Sequence, residues 1–153
     1  MTLTQSAGTP GGTVAVPVQF AGVQSAPTGV ITLKLRFAGS KLTFTKVELG
    51  GVAESVDAVA TVTAQQRGDE RVLDVTIATP EKDGTRAALP DGPLAQLLFT
   101  VAKDQKAQTV IPVKVEASVA GLAADAAAVK VPAPDGEVIV ANPVVISCFF
   151  YMH

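Results

Sequence analysis

Hydrophobic and polar residues alternate along several short segments of this chain. The clearest segment is Gly29–Phe37, with the sequence GVITLKLRF. From Ile31 to Phe37 every second residue is apolar, and the residues between them are polar or charged. Because successive side chains of a strand point to opposite faces, this pattern predicts a strand with one face on a core and the other in water.

The same alternation predicts about nine strands in all. Besides Gly29–Phe37, the predicted strands are Met1–Gln5, Thr13–Phe20, Lys41–Leu49, Ala58–Ala64, Arg71–Ala78, Leu94–Val101, Thr109–Ser118 and Glu137–Val140. The connection Gln65–Glu70 is predicted as a hairpin loop, and the alanine-rich segment Ala120–Val129 favours either a short helix or a turn. Many short strands without a helical layer predict an all-β fold in which two sheets pack as a β-sandwich.

The composition is typical of one globular domain. The chain has 153 residues, of which 48% are hydrophobic and 17% charged, so it can bury a core and is not disordered. Its longest apolar runs, Val138–Ala141 and Val144–Ile146, are far shorter than the roughly 20 residues of a membrane helix. We therefore expect no membrane span. The opening residues, Met1–Gly8, have neither the basic start nor the apolar centre of a signal peptide.

Charge and motifs argue against several function classes. Twelve basic residues against fourteen acidic ones give a net charge of −2, and the basic residues are scattered singly. Nucleic acid is therefore not an expected partner, because phosphate binding needs concentrated positive charge. The chain has one cysteine, Cys148, and lacks metal-binding spacings, a phosphate loop and a GxSxG serine motif. We expect no enzymatic activity, no cofactor and no metal.

Three weaker candidates for chemistry have simpler explanations. Cys148 and His153 are the residue types of a nucleophile pair, but a chain terminus is usually too mobile to hold such a pair together. Three aspartates precede a glycine: Asp83, Asp91 and Asp135. Turn chemistry explains these Asp-Gly pairs without a calcium site. The tripeptide Arg67-Gly68-Asp69, which looks like an integrin ligand, belongs to the predicted hairpin loop.

The order of the segments resembles the cohesin domain family and its non-cellulosomal relatives. Family members run from a GDTVTVPV opening to a DGxLatitFkV strand and a terminal GxVxV. The matching segments span roughly Gly11–Val140 and read GGTVAVPVQFAGV, GVITLKLRF, AGSKLTFTKVELG, RVLDVTIA, LPDGPLAQLLFTV, IPVKVEAS and DGEVIV. One departure is Phe37-Ala38-Gly39, which stands where the family usually has Tyr-Asp-Pro. The resemblance implies a nine-stranded jelly-roll β-sandwich, which we assign to a domain over residues 1–141.

The resemblance also implies binding, because family members hold a partner protein on the flat face of one sheet. Carried over by position, that face presents Thr32, Lys34, Arg36, Thr61, Thr63, Asp74, Thr76, Lys114 and Glu116. At Thr32 and Lys34 a family subset has an Asn and an Asp for partner contact, so this chain carries a cation where that subset carries an acid. The simpler alternative for the same nine residues is a solvated sheet surface with ordinary cross-strand pairs.

Residues 142–153 form an apolar tail beyond the last strand of the family pattern. Leaving its side chains in water would be costly, so something should cover them. One candidate is an extra edge strand packed on its own sandwich. The other is strand addition to a neighbouring subunit, which would make a homo-oligomer. The residues that would carry the contact are Val144, Ile146, Phe149, Phe150 and Tyr151.

We therefore predict a non-enzymatic protein-binding module, secreted or displayed on a cell surface, whose partner is a dockerin-like or another protein. The first alternative is a structural subunit of a surface layer or filament that assembles itself through the tail. The second is a carbohydrate-binding module. Such modules generally bind sugars on rows of aromatic side chains, and this chain has no Trp and a single Tyr.

Overall fold

The computed structural model describes residues 1–22 and 26–142, which form strand segments and one short helix. In chain order the elements are β1 (Thr2–Leu3), β2 (Ser6–Gly8), β3 (Thr13–Phe20), β4 (Val30–Ala38), β5 (Leu42–Leu49), α1 (Gly51–Glu54), β6 (Val59–Arg67), β7 (Glu70–Ala78), β8 (Glu81–Lys82), β9 (Thr85–Arg86), β10 (Gly92–Val101), β11 (Val110–Ala120), β12 (Val129–Val131) and β13 (Gly136–Val140). The fold is therefore all-β, as the alternation predicts.

Two sheets make up the body of the domain. The smaller sheet has the order β1-β3-β10-β5, and its neighbours are all antiparallel. The larger sheet has the order β2-β13-β11-β4-β7-β6, in which only β2 and β13 are parallel. A separate hairpin of β8 and β9 lies between β7 and β10 in the chain. Buried residues of both sheets form one hydrophobic cluster, which is the core of a β-sandwich.

The core confirms the inward side of the predicted alternation. The four β4 residues assigned to it are buried: Ile31, Leu33 and Leu35 fully, and Phe37 with 4% exposed. At its centre the Phe99 ring meets the ring edges or faces of two other phenylalanines. Its centroid lies 5.2 Å from that of Phe37 and 5.7 Å from that of Phe44, both in T-shaped geometry. Such aromatic pairs add stability beyond the area that they bury.

Two strands are interrupted, and this affects the strand count. The first predicted strand, Met1–Gln5, is split, because β1 pairs with β3 of the smaller sheet and β2 pairs with β13 of the larger one. Likewise β12 and β13 run along the same edge of β11, separated by residues 132–135. The described residues therefore form thirteen strand segments, and comparison with the nine predicted strands depends on how interrupted strands are counted.

The hairpin between β6 and β7 is tighter than predicted. The loop expected over Gln65–Glu70 is wrong in length, because the strands continue through Arg67 on one side and from Glu70 on the other. Gly68 adopts φ +63°, the left-handed conformation that a two-residue turn needs at its first central position. A glycine there lets the ladder extend to the turn itself.

The structure resolves one local prediction and adds one element that was not predicted. The segment Ala120–Val129 contains a turn and no helix, with the Ala126 N–H donating to the Ala123 carbonyl at 3.0 Å. The single described helix is α1, which the sequence reading missed. It is one turn long, and its Ala53 is fully buried in the core. One buried alanine is too weak a signal to reveal an element of this length.

The predicted tail contacts lie outside the described residues, as do Cys148 and His153. The division into a domain over residues 1–141 and a tail therefore stays a prediction. Within residues 1–22 and 26–142, no helix has the length and apolar character that a membrane crossing requires.

Candidate protein-binding face

Four neighbouring strands of the larger sheet present a continuous polar surface, which we call the outer face. It is formed by the side chains of β11, β4, β7 and β6 that point away from the core. All nine residues predicted for partner contact lie on it: Thr32, Lys34, Arg36, Thr61, Thr63, Asp74, Thr76, Lys114 and Glu116. The strands pair without a register shift over this region, so the side chains form straight rows across the sheet.

One row of the outer face is charged. Across the sheet it runs from Glu116 through Lys34 and Asp74 to Thr63. The Lys34 Nζ lies 3.7 Å from Asp74 Oδ1, and these two side chains are 44% and 29% exposed. A pair this exposed contributes at most about 1 kcal/mol. Its charges can therefore turn to a partner's groups at little cost.

A second ion pair crosses the sheet diagonally. The Arg36 Nη2 lies 2.7 Å from Glu116 Oε1. Directly opposite Arg36 on β11 is Lys114, which forms no salt bridge within the described residues. The outer face thus offers an uncompensated cation beside a guanidinium that is already paired.

A threonine row borders the charged one. The Thr32 and Thr76 hydroxyl oxygens lie 3.4 Å apart, and Thr61 continues the row on β6. These short side chains keep the row low. A polar surface that extends over four strands suits contact with a folded partner, which needs a larger area than a small molecule does.

Two polar residues of the outer face escaped the sequence analysis. Ser118 pairs with Lys130 of β12, and both line a cavity of about 230 Å³. The other lining residues include Thr32, Lys34, Asp74 and Glu116. Lys130 lies in a three-residue strand beside two prolines, and its sequence gave no sign of pairing. It places a further cation beside the face, at its β11 side.

Val72 is an apolar residue on the polar side of β7. It pairs with Arg36 on one neighbour and with Gln65 on the other, and only 5% of it is exposed. It lies outside the core cluster, so its burial comes from side chains of the outer face. The signal was present in the sequence, because Val72 and Leu73 are consecutive apolar residues and one of them must point outward.

The Asp135 side chain supplies a hydrogen-bond acceptor to β11 in the gap between β12 and β13. At this gap the chain passes through Pro132 and Pro134, which have no N–H to donate. The Val115 N–H of β11 instead donates to Asp135 Oδ1 at 2.9 Å. The backbone of β11 is thereby satisfied at the point where its edge partner leaves.

Several other candidate residues of the sequence analysis form contacts within the fold. Within the described residues no three His, Cys, Asp or Glu side chains are placed to hold a metal ion. In the Arg67-Gly68-Asp69 tripeptide, the Asp69 carboxylate accepts hydrogen bonds from Ser40, so it is engaged within the fold. Asp91 and Asp135 likewise accept backbone N–H groups, from Gly22 and Val115.

Comparisons with known proteins agree with this architecture. The family model of the cohesin domain matches residues 1–140. No curated protein sequence matches the chain.

Several solved structures are similar. The sixth cohesin of scaffoldin B from Acetivibrio cellulolyticus, crystallised with a mutant Cel5 dockerin, has a TM-score of 0.69 at 17% identity, covering 91% of this chain and 96% of that one. A cohesin in a type I cohesin–dockerin complex from Clostridium thermocellum has a TM-score of 0.69 at 17% identity, with 90% and 95% covered. A non-cellulosomal cohesin from the archaeon Archaeoglobus fulgidus has a TM-score of 0.62 at 18% identity, with 92% and 89% covered. At these identities the similarity establishes the fold.

Proposed function

The chain belongs to the cohesin domain family, and from this membership we propose that it is a non-enzymatic module that holds a partner protein on the outer face. We further propose that it works outside the cell, secreted or displayed on a surface. The observation that carries the proposal is the outer face itself. Its nine predicted residues lie in straight rows on four adjacent strands.

The partner that this face favours is a dockerin-like protein with an acidic contact surface. Two of the similar cohesins were crystallised with dockerins, which supports that partner class. The charge of the face adds detail. On the outer side of its four strands the cations Lys34, Arg36, Arg67 and Lys114 outnumber the acids Glu70, Asp74 and Glu116, with Lys130 of β12 beside them, although the whole chain has a net charge of −2. Complementary carboxylates would both attract such a face and fix its orientation.

Lys34 also sets specificity. A dockerin adapted to the family subset with an acid at this position would place a donor or a cation opposite Lys34. Such a like-charge contact costs up to several kcal/mol, so that dockerin is disfavoured. The chain is thus expected to select its own partner and to reject those of the better-known subset.

The proposal is tested by capture from the secreted proteins of the source organism. The full chain is immobilised as wild type, as Lys34→Glu on the outer face, and as Thr45→Glu on the exposed side of β5. Captured proteins are identified by mass spectrometry, and binding of the purified partner is measured by calorimetry. We expect a partner that binds the wild type and Thr45→Glu equally and binds Lys34→Glu at least tenfold more weakly, by about 1.4 kcal/mol.

Two results would contradict the proposal. A partner that binds Lys34→Glu as tightly as the wild type must use another surface. A partner lost with Thr45→Glu alone would move the site to the smaller sheet.

The carbohydrate-binding alternative finds no platform in the described residues. Their four phenylalanines, Phe20, Phe37, Phe44 and Phe99, all belong to the core or pack against it. The tail-mediated assembly alternative stays a prediction, since its residues lie outside the described ones.

A further inference from the structure

The free edge of β6 is the longest regular strand edge that the described residues leave unpaired. We propose that it pairs with the β6 edge of a second copy of this chain, antiparallel about a twofold axis, so that two larger sheets become one. This inference concerns the edge and not the outer face. It does not depend on the identity of any partner protein.

The backbone of β6 offers a complete set of hydrogen-bonding groups to a neighbour. Arg67 and Glu70 flank a two-residue hairpin loop and therefore form a hydrogen-bonded pair. Because hydrogen-bonded and non-hydrogen-bonded pairs alternate along an antiparallel ladder, the backbone N–H and C=O groups of the odd-numbered β6 residues point at β7. The N–H and C=O groups of Ala60, Val62, Ala64 and Gln66 then point the other way. Among the described residues, these backbone groups have no partner besides β7.

The β6 edge lacks the features by which proteins usually protect a strand edge. Such features are charged side chains, prolines, bulges and short length. The strand is nine residues long, pairs with β7 without a register shift, and carries no charge or proline from Val59 to Gln66. Its Val59 is an exposed large hydrophobic residue, 62% accessible.

The other edges of the described sheets differ from β6. The edge strand β5 carries Lys46 and Glu48, and its ladder with β10 contains a bulge. The edge strands β1 and β2 are only two and three residues long. Among the described edge strands, β6 is therefore the one with a long unprotected edge.

The sequence of β6 is compatible with itself. Antiparallel pairing centred on Thr63 brings all nine residues of each copy into register, with Ala60 opposite Gln66 and Val62 opposite Ala64. No two like charges meet, because the only charged residue, Arg67, lies opposite Val59. Thr61 and Thr63 belong to the outer face, so that face would continue without a break from one copy to the other.

The central threonine permits a test by charge. Thr63 meets its own copy directly at the twofold axis, where like charges are destabilising. We expect the full wild-type chain to reach twice the single-chain mass in light scattering across a concentration series. Thr63→Lys and Thr63→Glu should each remain at the single-chain mass, and an equal mixture of the two should recover the double mass.

Two further variants test whether the loss of the double mass is specific to the β6 edge and whether it depends on charge. Thr43→Glu places the same charge on the exposed side of β5 and should leave the double mass unchanged. Ala64→Pro removes one outward N–H at an exposed position and should also give the single-chain mass, without relying on charge. Circular dichroism verifies that each variant is folded; if the Thr63 variants are not, Ala64→Pro decides.

Three results would overturn the proposal. One is a wild-type chain that keeps the single-chain mass throughout the series. The second is a double mass that persists in Ala64→Pro and the folded Thr63 variants. The third is a double mass that Ile146→Asp abolishes while the β6 variants retain it, which would assign the contact to the tail.

Discussion

Asp69 accepts two hydrogen bonds from Ser40, one from the backbone N–H at 2.7 Å and one from the hydroxyl at 2.8 Å. The contact joins the turn after β4 to the hairpin loop between β6 and β7. A third bond, from the Gly39 N–H to the Asp69 carbonyl at 2.7 Å, lies beside it. The two loops thus close one end of the outer face. In the family pattern this turn usually carries its own acidic residue, and here Ala38 stands in that place while the acid comes from the neighbouring hairpin.

The Ser40–Asp69 contact predicts a stability change at low pH. The Ser40 hydroxyl, followed by its backbone N–H, lowers the pKa of Asp69 below the ordinary value of 3.8. Because the folded-state pKa is the lower one, the contribution is complete above pH 3.8 and is lost as the pH falls through the lowered pKa. We expect Asp69→Asn to reduce the thermal midpoint at neutral pH, and the difference from wild type to shrink below pH 3.8. Asp104→Asn, an exposed control, should show no such convergence.

The Asp135–Val115 contact predicts a localised loss of stability. Asp135→Ala leaves the N–H of Val115, whose side chain is buried, without its acceptor. The expected cost is about 1–3 kcal/mol in the free energy of unfolding, measured by urea denaturation. Asp135→Asn keeps an acceptor oxygen and should lose less than Asp135→Ala. Equal losses in the two variants would show that the charge, and not the hydrogen bond, is what stabilises the edge.

The aromatic centre of the core predicts the largest effect. Phe99 is fully buried between Phe37 and Phe44, so Phe99→Ala removes its transfer energy and leaves a cavity. We expect a loss of about 3–5 kcal/mol in the free energy of unfolding. Phe99→Leu retains much of the volume and should lose clearly less. A loss below about 1 kcal/mol for Phe99→Ala would contradict the packing described here.

A buried hydroxyl anchors the segment that carries β8 and β9. Thr79 is 1% exposed, and its hydroxyl donates to the Ala87 carbonyl at 2.7 Å. Thr79→Val keeps the shape but removes this donor, so we expect a loss of about 1–2 kcal/mol in chemical denaturation. Thr79→Ser retains the hydroxyl and serves as the control. If the serine variant loses as much stability as the valine variant, packing of the methyl group dominates.

The alternating pattern predicted the parts of this fold that rest on burial. The inward and outward residues of β4, β7 and β11 follow from period two, because each strand has one face on the core. The nine residues predicted for partner contact therefore lie on one face of four adjacent strands. Their role in binding was implied by family resemblance and is a proposal.

The parts that sequence reasoning missed depend on contacts between distant residues. Nothing near Asp135 in the chain indicates that it serves Val115, and nothing near Asp69 indicates Ser40. Lys130 lies beside the outer face only because β12 pairs with β11. The sequence did not predict this pairing, because the alanine-rich segment between the two strands favoured either a helix or a turn. The length of the β6–β7 hairpin was underestimated, because polar residues at Gln65 and Gln66 read as loop although they continue an exposed strand.

The two edge strands of the larger sheet, β2 and β6, differ in the number of hydrogen bonds that they can offer to an added strand. β2 ends the sheet with three residues, and its neighbour β13 begins only after the interruption at residues 132–135, which contains Pro132 and Pro134. A strand added beside β2 would form few hydrogen bonds, whereas a strand added beside β6 could pair along nine residues. The pairing proposed for β6 would use the one long edge of each larger sheet that the described residues leave open, so this pairing ends at two chains and does not by itself lengthen into a fibre.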